Sequence, residues 1–164
     1  DSCTEMLRAA LEALGWFDDG RRHRDVRIVR EPANWDEPIE PNLLCVSTQD
    51  SEATEAELGS GLTGVVVPYI FDIYAESESV GLHLSGDVFD ILRGRHPDAG
   101  REVAKFSILD FRTATPEEIG YGVIADVERS RTPMRVERPW LQNWFVISAN
   151  VTDYYFGDAD AATP

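Results

Sequence analysis

Residues 64–75 limit the fold of this chain more than any other stretch. Val65, Val67, Tyr69, Phe71 and Ile73 alternate there with Val66, Pro68, Ile70, Asp72 and Tyr74. β-Branched and aromatic residues on a two-residue period specify an extended strand. A strand's backbone groups need partners, so the chain must build a sheet around this segment. Pro68 has no amide hydrogen, which predicts an edge position or a bulge. The apolar run inside the stretch, residues 65–71, falls far short of the roughly 20 residues a membrane-spanning helix requires.

The remaining elements are predicted around that strand. Residues 24–31 read as a strand with Val26 and Ile28 on one face and Arg27 opposite, and residues 42–48 as a more buried one containing Cys45. Pro32, Pro38 and Pro41 break the intervening segment into an extended loop that holds Trp35. Residues 105–111, 122–129 and 143–154 supply three further strands. Thr115 and Pro116 fit the cap and first position of a single helical turn. Two helices are predicted. The first opens on a capping box, Ser2 to Glu5, buries Met6, Leu7, Ala10, Leu11 and Leu14, and ends at Gly15. Trp16 and Phe17 then fold back on the core or meet a partner. The second helix is capped by Ser77 or Ser79, turns Val80, Leu84, Val88, Ile91 and Leu92 inward, and ends at Gly94 and Pro97. Strands that come in runs point to an α+β fold, a mostly antiparallel sheet with both helices packed on one face. Residues 1–156 form one domain and residues 157–164 a frayed acidic tail. A first residue of Asp rather than Met predicts a processed or trimmed start, and the amphipathic, acid-bearing opening is unlike a secretory signal.

Charge narrows the function. The chain carries 30 acidic against 15 basic residues, a net −15. Nucleic-acid and anionic-membrane binding both need positive surface and are disfavoured. Every basic residue except Lys105 is Arg, the side chain suited to two-point contacts with carboxylates at interfaces. Two cysteines, Cys3 and Cys45, with no second ligand at suitable spacing, make no zinc site and fit a reducing compartment.

Motifs that carry chemistry are sparse. His83 and Asp87 share a helix face, with Asp90 and His96 further along, but a pair falls short of a metal site and reads as a solvated helix surface. Gly59, Gly61 and Gly64 lack the Lys-Ser/Thr of a phosphate loop, are preceded by four acids and lead into a strand. No Gly-x-Ser-x-Gly nucleophile elbow occurs. No catalytic, cofactor or metal residue is assigned; an enzyme using carboxylates alone stays open as an alternative.

Oppositely charged segments are more telling. Arg21, Arg22, Arg24, Arg27 and Arg30 cluster in one segment, and Arg129, Arg131, Arg135 and Arg138 in another. Residues 50–58 hold Asp50, Glu52, Glu55 and Glu57 and no base. Such segments suit head-to-tail contacts between copies, in which a basic surface meets a neighbour's acidic one. Residues 49–64 are expected to form a long mobile loop ordered by a partner. Trp35, between Pro32 and Pro38, and Trp140, next to Pro139, suit either an interface or a small core of their own. The candidate interface residues are Arg21, Arg22, Trp35, Glu52, Glu55, Glu57, Arg131, Arg138 and Trp140.

Across residues 4–156 the order of features resembles the tail terminator proteins of long-tailed, non-contractile bacteriophages (siphoviruses), especially those of actinobacterial hosts. It lies in the opening helix ending Leu14-Gly15-Trp16-Phe17, the Pro-rich segment before a buried strand, the long strand from Val65 to Tyr74 leading to the helix with Asp87-Val88-Phe89-Asp90-Ile91-Leu92, and the closing strand from Trp144 to Val151. No functional residue is carried over individually. The resemblance implies a homo-oligomeric ring, usually of six subunits, on the head-proximal end of the tail tube in the virion, assembled in the host cytoplasm. The tube protein would lie below, a neck or connector protein above, and DNA would pass through the hole without specific binding. Six copies would bring roughly −90 charges to that ring. Alternatives are another neck protein of the virion, a small carboxylate-using enzyme, or a monomeric acidic adaptor.

Overall fold

A computed structural model describes residues 2–17, 26–32, 34, 36–50, 52–55, 63–95, 104–110, 112, 114–131 and 139–156. The elements are α1 (Ser2–Ala13), β1 (Arg27–Val29), β2 (Leu43–Thr48), β3 (Glu52–Glu55), β4 (Thr63–Tyr74), α2 (Glu78–Leu92), β5 (Lys105–Asp110), β6 (Glu117–Arg131) and β7 (Trp144–Tyr155), with a short 3-10 turn at Pro139–Leu141. The seven strands form one sheet in the order β1-β2-β4-β7-β6-β5, with β3 also on β4. Only the β1–β2 pair among the described residues is parallel. The fold is α+β.

Both helices pack on one face of the sheet. Leu7 and Leu11 of α1 and Leu84, Val88 and Ile91 of α2 share a buried core with Leu44, Phe71, Ile73, Phe145, Ile147 and Val151. The pleat turns the intervening residues the other way. There Leu43, Cys45, Tyr74 and Trp144 form a smaller cluster under Leu141 and Ile39. The rest of that face, from Val66, Pro68 and Ile70 across Ser148 and Asn150 to Val123, is partly exposed and carries no helix among the described residues.

The helix ends follow the sequence closely, with one exception. Gly15 takes a φ of 83° and closes α1 by donating to Glu12 while Trp16 donates to Leu11; this paired closure needs a left-handed residue. Gly94, at φ 63°, ends α2 the same way through Ile91 and Asp90. Ser77, not Ser79, caps α2 by accepting the Val80 N–H. The exception is the capping box. Ser2 lies within α1, and its hydroxyl accepts the Leu109 N–H of β5 at 3.4 Å, while Glu5 pairs with Arg8.

Three strand expectations are corrected. Pro68 sits in the middle of β4, an interior strand, rather than at an edge. Gln49 stands opposite it and donates to the Pro68 carbonyl at 2.9 Å. A facing pair of this kind normally exchanges two bonds, and proline cannot return the second. The neighbouring strand accordingly breaks here, into β2 before the gap and β3 after it. Residues 52–55, expected to be loop, are therefore paired strand, whereas residues 51 and 56–62 lie outside the described residues. Thr115 and Pro116 start no helical turn; they precede β6, whose Glu117 pairs with Asp110. The loop 31–41 is as expected where it is described, and the tail 157–164 lies outside the described residues.

Two backbone features pin the sheet. Asn42, 2% exposed and at φ 64°, accepts the Arg27 N–H, donates to Tyr74 O and takes the Glu76 N–H on its side chain. It ties β1, β2 and the end of β4 together. A bulge between Ala125 and Glu128, with Asp126 at φ 52°, bends β6 beside β7.

Candidate interaction surface

The structure places only part of the predicted interface set. Arg21, Arg22, Trp35, Glu57 and Arg138 lie outside the described residues. Glu52 and Glu55 begin and end β3, on an outer strand. Arg131 closes β6. It pairs with Glu78 at 2.6 Å and sits 5.3 Å from the Phe145 ring, so it clamps α2 to the sheet from an exposed position. Trp140 lies in the 3-10 turn at the same end of the sheet as Arg131. Glu52 shares a register level with Thr152, and Arg131 one with Phe145. The acidic strand and Arg131 are thus separated by seven residues along β7, about 23 Å. They occupy opposite ends of the strands, and the structure does not bring them together in one chain.

Burial shifts two carboxyl groups upward from the usual carboxylate range. Burial raises the Asp153 pKa to about 6. Burial also raises Asp72, whose carboxylate accepts the Trp144 indole N–H at 2.9 Å. They cannot act on one substrate, because Asp72 lies on the open face and Asp153, opposite Val65 and Gly122, on the helix face. Burial holds both thiols protonated, pushing Cys3 and Cys45 up to about 12. His83 is exposed, and its helix neighbour Asp87 accepts the indole N–H of Trp16 at 2.8 Å. Trp16 is fully buried, so it folds back on the core. Among the described residues no three His, Cys, Asp or Glu side chains gather as a metal site, and no helix is long and apolar enough to cross a membrane.

Open depressions among the described residues include two along the sheet. One, of about 500 Å³, lies along β1 and the Pro-rich segment and is lined by Arg27, Glu31, Glu37, Pro38, Glu40 and Cys45 among others. The other, of about 700 Å³, runs along β5 and β6. It is lined by Ala104, Lys105, Phe106, Ser107, Glu118, Tyr121 and Phe156. Lys105 Nζ lies 4.3 Å from the Tyr121 ring centroid, and Ser107 donates to Glu118. Tyr121 packs against Tyr154 and Phe156, which leaves an aromatic strip at the sheet's β5 end. Composition alone did not single out this groove. Its signal was the alternation of Lys105 and Ser107 with Phe106 and Ile108 in a strand that ends the sheet.

Both depressions are open to solvent. Compared with known protein families and with characterised proteins, the sequence matches no family model and no individual protein.

Proposed function

We propose that this chain is a ring-forming structural protein of a phage virion, a tail terminator. It caps the head-proximal end of the tail tube, stops tube growth and offers the surface that joins the neck. It acts by binding alone and performs no catalysis. The observation that carries this reading is the one-sided sheet. Among the described residues both helices cover one face, strands of 12 to 15 residues extend across the other, most of that second face carries no helix, and no strand pairs with the outer sides of β1, β3 and β5. Long sheets left open in this way suit lateral contact with other chains, because unpaired edges are templates for pairing. The net charge of −15 supports passage of DNA without adhesion. The resemblance in feature order supplies the virion context.

The test is assembly with the tube. Purified tail tube protein is polymerised with and without this chain, and tube lengths are measured by electron microscopy. The reading expects the chain at one tube end and shorter, uniform tubes at increasing dose. Unchanged lengths with no end-bound density refute it.

A further inference from the structure

We infer that copies of this chain join edge to edge, β3 of one copy pairing in parallel with β5 of the next. The inference rests on the ring reading above. Following the register across the sheet, Lys105 stands beside Val123, Val123 beside Thr152, Thr152 beside Val66, and Val66 beside Glu52. The same row therefore begins at the only lysine of the chain and ends at a glutamate, at opposite edges. The next three rows run from Phe106 to Ala53, from Ser107 to Thr54 and from Ile108 to Glu55.

Four successive antiparallel pairings separate β3 from β5, so the two outer strands run in the same direction. A neighbour in the same orientation, displaced sideways, brings its β3 alongside β5 as a parallel pair. Such head-to-tail contact repeats with one operator and closes into a ring when the rotation allows. No strand pairs with the outer side of β3 or of β5 among the described residues.

The lengths agree as well. β3 has four residues, and β5 is regular for the four from Lys105 to Ile108. A bulge follows at Leu109, where Ser2 takes up the amide and ends the free edge. Residue types match on three of the four rows: Lys105 shares its row with Glu52, Ser107 with Thr54, and Phe106 with Ala53. Glu55 has no opposing charge, since its row ends at Ile108. The contact adds a strand to the rim of the groove formed by Lys105, Ser107 and Tyr121.

A cysteine pair tests this contact. Full-length chain carrying Ser107→Cys and Thr54→Cys is oxidised, alone and with tail tube protein, then run denatured without reductant. A ladder of linked multimers from the double variant, and nothing beyond dimer from either single variant, supports the pairing. Multimers by native mass spectrometry without such a ladder overturn it and leave the ring reading standing. Chains that stay monomeric in both arms overturn both, whereas a ladder without tube capping supports the pairing and refutes the terminator role. Charge reversal is the second readout. Lys105→Glu is expected to raise the concentration for half-assembly about tenfold, or about 1.4 kcal/mol per contact. Adding Glu52→Lys restores it. Assembly indifferent to Lys105→Glu counts against the pairing.

Discussion

Gly81 and Gly86 lie on the same helix, yet an added methyl group should act on them in opposite directions. Alanine in a helix interior is ordinarily favoured over glycine by about 1 kcal/mol. At Gly86 the new methyl would touch only the Arg129 guanidinium, at an ordinary 3.6 Å, so Gly86→Ala should gain most of that amount. At Gly81 the same methyl would overlap Phe145 Cε2 and stand 2.8 Å from Cδ2. The ring has nowhere to go: Phe145 is 1% exposed, lies between α2 and the sheet, and has the Arg131 guanidinium beside it. Either α2 lifts or Phe145 leaves its rotamer, and such overpacking costs about 1–3 kcal/mol. Contact this close belongs at the upper end of that range. Subtracting the propensity gain leaves Gly81→Ala about 1–2 kcal/mol less stable than the parent chain. For a chain of this size that lowers Tm by about 3–6 °C, while Gly86→Ala raises it by up to about 3 °C. Thermal melts and urea titrations of both variants measure the contrast. Phe145→Leu in the Gly81→Ala background supplies a double-mutant cycle with an expected coupling of at least about 1 kcal/mol. If Gly81→Ala is as stabilising as Gly86→Ala, the seating of α2 on Phe145 is wrong.

Further predictions rest on other parts of the fold. Asp153 has a folded-state pKa raised to about 6, above its unfolded value, so the folded state binds the proton more tightly. Stability should therefore fall as pH rises from about 4 to 6 and level off above, and Asp153→Asn should flatten that slope. Allowing for solvent screening at a partly exposed site, the variant gains about 1–2 kcal/mol at pH 7, measured by denaturant titration across pH; an unchanged slope refutes the assignment. Asn42→Ala loses a left-handed residue and the bond to Glu76, for about 2 kcal/mol, and Asn42→Gly should lose about half as much. Equal losses for the two would show that backbone strain is absent. Trp16→Phe keeps the buried ring but drops the donor to Asp87, costing about 1 kcal/mol in chemical denaturation, whereas Trp16→Ala should cost about 3–5 kcal/mol.

Local chemistry made much of the architecture legible. Gly15 and Gly94 mark helix ends because only a residue at ease with positive φ closes those turns. Alternation marked β4, since the pleat has a strict period of two, and the unbroken apolar run from Leu43 to Val46 marked a strand buried on both faces. The same rules mislead where a distant partner competes. Ser2 matched a capping box, but the Leu109 amide took its hydroxyl. Residues 52–55 looked too acidic for a strand until β4 supplied a ladder. Pro68 looked like an edge residue because the break opposite it, at Gln49, is visible only once the strands pair.

By itself the sequence determined the two helices, the main strands, the α+β class and the strong acidity, because each follows from periodicity, caps or charge within short windows. Only the tertiary structure decided which carboxyls share a face, where Arg131 docks, and that Lys105 and Glu52 end a common row across five strands. Those relations join residues tens of positions apart. They depend on strand order and register, which the packing of the whole sheet sets and no local window encodes.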